Sequence, residues 1–144
     1  MGVEIALPAV GLFGCFSAAS NSGSLTAMAA LEAVKRLGGA TVGVCSLPAI
    51  LSQVHRQSGL VRNIGKLVVM DGCRNACAKN LLAGVGIAPG AYLNLENDLG
   101  IVKKGPFTSL EFSDQEVQRV CEALAGKVTA EAGGAGTPDR GGQG

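Results

Sequence analysis

The sequence predicts an α/β protein with three layers, in which a mostly parallel sheet of four or five strands lies between helices, as in half of a flavodoxin or Rossmann fold. Apolar β-like runs alternate with segments of helical periodicity, and such alternation requires right-handed crossovers between parallel strands. The 144 residues are 47% hydrophobic with 22 glycines and no Trp, which favours an aliphatic core with tight turns. A chain of this length can bury one core without cross-links. We therefore expect a single domain over residues 1–130.

The predicted elements follow one another in strict alternation. In order, they are strand 9–14, helix 24–37, strand 40–45, helix 48–56, strand 66–71, helix 74–83, strand 91–96 and helix 113–125.

The first strand and the first helix are defined by their composition and their ends. Residues 9–14 form an apolar run, Ala-Val-Gly-Leu-Phe-Gly. Ser20 and Asn21 are residue types that cap helix N-termini, and the segment after them carries an apolar face. Gly38 and Gly39 then end the helix, as glycines in a left-handed conformation commonly do.

The middle of the chain repeats the pattern. Strand 40–45 precedes Pro48, which favours the first turn of a short helix, and Gly59 is expected to stop that helix. Strand 66–71, Lys-Leu-Val-Val-Met-Asp, is the most strongly β-like segment. The helix after it is expected to end at Gly84.

The end of the chain contributes a fourth strand, a last helix and a tail. Ser113 and Glu116 have the spacing of a capping box, which predicts where the last helix starts. Residues 131–144 are rich in glycine and carry too little apolar surface to offset the entropy of ordering, so we expect a flexible tail.

Charge and hydropathy exclude several classes of protein. The formal charge is +1, from 12 basic and 11 acidic residues, so no attraction to nucleic acid is expected. No run of about 18 apolar residues is present, which argues against a membrane span. Glu4 and Pro8 interrupt the apolar N-terminus and argue against a secretion signal. We expect a cytoplasmic protein, in which clustered cysteines serve more often as ligands or redox centres than as disulfides.

Four of the five cysteines are predicted to meet at one edge of the sheet. Cys15, Cys45 and Cys73 each follow a predicted strand, and Cys77 comes one helical turn after Cys73. A strand order of 2-1-3-4 would place Cys15 between the other two. Neighbouring strands lie about 4.8 Å apart and zinc–thiolate bonds measure about 2.3 Å, so sulfurs from adjacent strand ends can reach one ion. This spacing predicts a metal or redox site.

The remaining candidate residues carry less information. Cys121 has helical spacing with Val117 and Leu124, which favours a core position. The single histidine, His55, is expected to be solvated. Three residues at the start of the first helix, Ser20, Asn21 and Gly23, have two interpretations. They could contact an anion or line a binding pocket, or they could simply cap the helix.

The motif Asp71-Gly72-Cys73, followed by Cys77-Ala78-Lys79, resembles the central motif of the DGC-domain proteins, a family named for that tripeptide. The resemblance extends over about residues 10–100, including Cys15 with the Ser-Asn-x-Gly that follows it, Cys45, and the Leu-x-x-x-Gly-Ile stretch at 82–87. It implies zinc bound by four chelating cysteines, namely Cys15, Cys45, Cys73 and Cys77. The function of the family is undefined.

Two functions that use the cysteines remain open at this point, beside a third interpretation in which the domain is an interaction module that contributes a surface to a larger assembly. The first is a small zinc-binding protein that acts in metal binding, sensing or delivery, with the metal ion as its partner and no protein partner identified. The second is a thiol-redox, sulfur-transfer or Fe-S protein that uses the same cysteines, since sets of four cysteines also hold Fe-S clusters. Whether the protein is an enzyme stays open in both cases.

Overall fold

The computed structural model of the protein describes residues 5–134. Within them, each strand is followed by one or two helices. The elements are β1 (Val10–Gly14), α1 (Asn21–Leu37), β2 (Val42–Val44), α2 (Leu47–Leu51), α3 (His55–Ile64), β3 (Leu67–Asp71), α4 (Cys77–Gly84), β4 (Ala91–Asn94), α5 (Leu95–Leu99) and α6 (Asp114–Gly134).

The four strands form one sheet in the order β2-β1-β3-β4, and every neighbouring pair is parallel. This confirms the predicted α/β fold, and the strand order places β1 between β2 and β3. Leu12 of β1 is paired with Val44 on one side and with Val68 on the other. Because all strands run in the same direction, the loops that follow β1, β2 and β3 leave from the same edge of the sheet.

Helices cover both faces of the sheet, which gives the expected three layers. On one face, Leu12, Val68 and Met70 pack with residues of α1 and α6, among them Cys121, which is fully buried as predicted. On the other face, a second apolar cluster joins β1 and β3 to α2, α3 and α4. Successive residues along a strand point to opposite faces of the sheet, so Phe13, next to Leu12, belongs to the second cluster.

The short helix predicted at 48–56 is in fact two helices. Ser52 ends α2, and Gln53 has a positive φ of 64°, which breaks the helix before α3 begins. Gly59 lies inside α3 and does not stop it; Gly65, with a φ of 74°, ends that helix. A glycine in a helix interior costs about 1 kcal/mol relative to alanine, and burial of Val61 from the same helix offsets such a cost.

The strand predicted at 91–96 ends two residues early. The side-chain oxygen of Asn94 accepts hydrogen bonds from the backbone N–H groups of Glu96 and Asn97, at 3.1 and 3.0 Å. Asn94 is therefore the N-cap of α5, and its capping role ends β4.

The last helix starts at the predicted capping box but is longer than predicted. Ser113 and Glu116 exchange hydrogen bonds between each side chain and the other's backbone N–H, at 3.1 and 3.0 Å. The helix continues to Gly134 instead of ending near Ala125, so the first four residues of the predicted tail, 131–134, are helical. The rest of that tail lies outside the described residues. None of the helices in residues 5–134 is long and apolar enough to cross a membrane.

Candidate metal centre

A cavity of about 280 Å³ opens at the carboxyl edge of β1 and β3, and three of the four candidate cysteines line it. Cys15 directly follows β1, Cys73 comes two residues after β3, and Cys77 is the first residue of α4. Cys15 and Cys73 are half-buried, whereas Cys77 is exposed. Residues from two adjacent strand ends and one helix N-terminus thus share one cavity.

The structure does not bring Cys45 into that cavity. Cys45 packs against the same apolar cluster as Cys15, but its thiol lines a separate cavity together with Pro8 and Leu60. Its sulfur turns back along the strands toward Gly11, where an added Cβ would lie 3.0 Å from the sulfur. Burial raises the pKa of the Cys45 thiol, which opposes formation of a thiolate there.

The Cys15 thiol lies within hydrogen-bonding distance of a neighbouring side chain. The Cys15 sulfur lies 3.5 Å from the hydroxyl oxygen of Thr26, and that hydroxyl donates its proton to the Gly23 carbonyl. Among residues 5–134, no three side chains of Cys, His, Asp or Glu stand close enough together to hold an ion. Cysteine thiolates are a ligand type that zinc binds. The three cysteine side chains would have to rotate before they could bind one ion together.

Asp71 closes the loop that carries the two downstream cysteines. Its buried carboxylate accepts hydrogen bonds from the backbone N–H groups of Ala78 and Lys79 and from the Tyr92 hydroxyl, at 2.8, 3.0 and 3.0 Å. Ala76, the residue before α4, has no side chain that can cap the helix. Asp71 supplies this cap from the end of β3, which explains why α4 begins at Cys77 and not at the predicted residue 74.

Gly72 permits close contact between this loop and the start of α1. A Cβ at Gly72 would lie 2.7 Å from the backbone carbonyl oxygen of Ser22. That distance is too short for any side chain, and the obstacle is backbone. The first two residues of the Asp-Gly-Cys motif therefore position the loop, while the third faces the cavity.

β4 and α5 hold the same loop from its other side. Asn94 donates from its amide nitrogen to the Cys73 carbonyl oxygen at 2.8 Å. Glu96 accepts from the Arg74 backbone N–H at 2.9 Å and from its guanidinium at 3.0 Å. These two hydrogen bonds, backbone first, lower the pKa of Glu96. The roles of Asn94 and Glu96 were not predicted from the sequence, because neither residue lies in a recognisable motif.

A segment that we call the strap, residues 101–110, covers the cavity from the side of α1. Lys103 of the strap donates from its ammonium to the Cys73 sulfur, with a nitrogen–sulfur distance of 3.6 Å. Asn21 holds the strap, because its amide nitrogen donates to the Val102 carbonyl at 2.9 Å and its oxygen accepts from the Lys104 N–H at 2.8 Å. No local pattern in the sequence indicates Lys103, which is distant from the cysteines along the chain.

The residues predicted at the start of α1 have different roles. Ser20 caps α1 by accepting from the Gly23 N–H at 3.4 Å, and both residues line the cavity. Asn21 holds the strap and does not line the cavity. His55 is exposed on α3, as predicted. The predicted capping role of Ser20 is confirmed, whereas contact with an anion stays a prediction.

Comparison with known proteins identifies the family. The sequence model of the DGC domain matches residues 11–124, a span that includes all the cysteines and, apart from Val10, the four strands. No curated protein and no solved structure matches the chain significantly. The match covers most of the chain and includes the motif that positions the cysteine loop. The protein therefore belongs to the DGC domain family.

Proposed function

We propose that the protein binds Zn²⁺ through Cys15, Cys73 and Cys77 and acts in metal binding, sensing or delivery. The observation that carries this proposal is that these three thiols line a single cavity at the carboxyl edge of a parallel sheet. Ligands are commonly bound at that edge in such sheets. Three thiols are a donor set suited to zinc, which binds thiolate sulfur at about 2.3 Å.

The residues around the cavity are compatible with the charge of a zinc ion bound by three thiolates. Three thiolates around Zn²⁺ carry a net charge of −1, and the Lys103 ammonium, 3.6 Å from the Cys73 sulfur, supplies a positive charge beside them. Asp71 does not compete as a ligand, because its carboxylate already accepts three hydrogen bonds. The cavity therefore offers three sulfur ligands and the Lys103 ammonium, while the Asp71 carboxylate holds the loop.

The arrangement favours a site that exchanges its metal over one that only supports the fold. Zinc normally takes four ligands, so three cysteines leave one position available to a further ligand. Cys77 is exposed, which gives an incoming or outgoing ion access. The two apolar clusters that flank the sheet supply the core without a metal. Loss of the ion should therefore leave the domain folded, unlike a zinc finger.

Metal analysis of cysteine variants tests this proposal. Protein loaded with zinc and freed of excess metal should contain one equivalent. The variants Cys15→Ser, Cys73→Ser and Cys77→Ser should each bind zinc more than about tenfold more weakly, because each loses one thiolate ligand. Cys45→Ser is the matched control and should bind as the natural protein does. Unchanged zinc affinity in all three variants of the cavity would refute the proposal.

A second candidate uses the same thiols for redox or sulfur-transfer chemistry, or for an Fe-S cluster. Its support is the Lys103 ammonium beside Cys73 and the placement of Cys73 and Cys77 on either side of one turn. Visible absorbance of protein isolated without oxygen would favour a cluster. A colourless protein with one equivalent of zinc would favour the first candidate.

A further inference from the structure

The N-terminus of α1 opens into the same cavity as the cysteines and has no acidic partner there. Ser20, Ser22 and Gly23 line the cavity, and the first turn of α1 contains no Asp or Glu. The N-terminus of a helix carries a partial positive charge and N–H groups without intrahelical partners, and both favour an anion. At α4, by contrast, the Asp71 carboxylate already accepts from the N–H groups of the first turn. Of these two helix ends, the start of α1 is the one open to an external anion.

Two buried hydroxyl groups at this helix end have one proton without an acceptor. The side-chain oxygens of Ser20 and Ser22 lie 3.3 Å apart and form one hydrogen bond. Only 8% of Ser20 and 1% of Ser22 is exposed. Whichever hydroxyl donates to the other, the second proton finds no acceptor among residues 5–134, since the remaining bond of Ser20 is accepted from the Gly23 N–H. Buried polar groups are normally hydrogen-bonded, so this donor on the cavity wall indicates a ligand that accepts from it.

The Ser22 backbone provides a further donor at the same helix end. Its N–H is the second of α1 and donates to no acceptor in the described part of the chain. The N–H groups on either side are engaged, because Asn21 donates to the Thr108 hydroxyl at 3.0 Å and Gly23 donates to the Ser20 hydroxyl. An oxyanion has enough acceptor positions for the Ser22 N–H and the remaining hydroxyl proton together.

Lys103 adds a full positive charge to the cavity. It is the one cationic side chain among the described lining residues, and Asn21 holds the strap backbone on both sides of it, at Val102 and Lys104. The volume of about 280 Å³ leaves room for a small molecule, since one water occupies about 30 Å³ in the liquid. The walls also include three apolar side chains, those of Leu47, Leu81 and Pro106.

We propose that this cavity binds a small oxyanion, a carboxylate or phosphate group on a compact apolar body, at the start of α1. The anion accepts hydrogen bonds from the serine pair and from the Ser22 N–H, and it pairs with the Lys103 ammonium. Hydrogen bonds to an ionised acceptor are stronger than those between neutral groups. The inference does not depend on the proposed metal site, because no thiol serves as a ligand to the anion.

Titration of the chelator-treated, reduced protein at constant ionic strength tests this inference, with binding followed by the amide NMR signals of Ser22 and Gly23. Three probes share a four-carbon body, namely butyrate, butyl phosphate and the neutral butyramide. At least one of the two anions should bind about tenfold or more tighter than butyramide, because only the anions make charge-assisted hydrogen bonds. The tighter of the two identifies the ligand as a carboxylate or a phosphate ester.

Two variants remove the donors that recognise the anion. Ser20→Asp keeps a residue that can cap α1 but places a carboxylate where the anion binds, so anion binding should be lost. Ser113→Asp is its matched control, because it puts the same charge at the exposed N-cap of α6, away from the cavity. Lys103→Met should weaken anion binding at least about fivefold, whereas Lys104→Met should not, since the Lys104 ammonium contacts the Glu111 carbonyl outside the cavity.

The inference would be overturned if neither anion bound more tightly than butyramide. Unchanged anion affinity in both Ser20→Asp and Lys103→Met would overturn it as well. Lys103 is exposed, so its replacement leaves the fold intact even if Ser20→Asp disturbs α1. Because no metal is present in the titration, these outcomes are separate from the test of zinc binding.

Discussion

The carboxylate of Asp71 accepts a hydrogen bond from the backbone N–H of Ala78 at 2.8 Å and so closes the loop that carries Cys73 and Cys77. The first residue of the Asp-Gly-Cys motif thus accepts the hydrogen bonds that the N-cap residue of α4, Ala76, has no side chain to accept. Because the cap fixes where α4 begins, it also fixes the backbone position of Cys77. In this motif, the acidic residue positions the thiols.

Replacing Asp71 by alanine should destabilise the domain by about 2–4 kcal/mol, because two helix N–H groups and a tyrosine hydroxyl lose a charged acceptor. Urea unfolding monitored by circular dichroism measures this change. Asp114→Ala removes an exposed carboxylate from the first turn of α6 and should cost less than about 1 kcal/mol. Equal losses in the two variants would show that Asp71 does not hold the loop.

Tyr92 should ionise unusually late. Burial first, and then the negative charge of Asp71, raise the pKa of Tyr92 to about 12 from its usual 10, although a hydrogen bond with Asn94 works in the other direction. The folded state thus favours the neutral phenol, and the associated stability is present below pH 10 and lost between about 10 and 12.

This titration can be followed directly, because Tyr92 is the only tyrosine and the chain has no tryptophan. Tyrosinate absorbance should rise near pH 12 in the folded protein and near pH 10 in urea. Asp71→Asn should move the folded midpoint down, since it removes the negative charge beside the phenol. A folded midpoint at the urea value would contradict this assignment.

Gly72→Ala should destabilise the protein by about 1–3 kcal/mol and weaken zinc binding. The new Cβ would lie 2.7 Å from the Ser22 carbonyl oxygen, so the loop with Cys73 must move away from α1. Gly39→Ala serves as the control, since a Cβ there meets nothing within 4 Å. Thermal unfolding and zinc titration of both variants give the comparison, and equal behaviour would refute the role of Gly72.

The cysteines should differ in their rates of alkylation. Cys77 is exposed, whereas burial raises the pKa of the thiols of both Cys45 and Cys121. In metal-free protein at pH 8, iodoacetamide should modify Cys77 well before Cys45 and Cys121, because the thiolate is the reactive form. Raising the pH should speed the reaction of the Cys45 and Cys121 thiols. Peptide mass spectrometry over time identifies each site, and early modification of Cys45 would contradict its described position.

The parallel sheet and the capping box were predictable because they depend on local pattern. Apolar runs that alternate with helical segments specify a parallel sheet, and the spacing of Ser113 and Glu116 specifies a helix start. The break between α2 and α3 was not predicted, because it depends on Gln53 adopting a positive φ that its residue type does not favour. Local signals therefore predicted the layers of the fold better than its irregular turns.

The candidate site was predictable only in part, for a similar reason. Strand ends predict that cysteines share an edge, but they do not predict the direction in which each sulfur points. Cys45 turns toward the space left by Gly11 on the adjacent strand, which only the register of the two strands reveals. Lys103 reaches Cys73 through the fold of the strap, over 30 residues along the chain. Contacts between residues so far apart along the chain leave no local pattern in a single sequence.

X-ray absorption at the zinc edge tests the central proposal most directly, because it counts the sulfur atoms bound to the metal. Zinc-loaded protein in thiol-free buffer should show three sulfurs at about 2.3 Å, and Cys45→Ser should give the same count. A shell of four sulfurs in the natural protein that falls to three in Cys45→Ser would contradict the account, since it would make Cys45 a ligand.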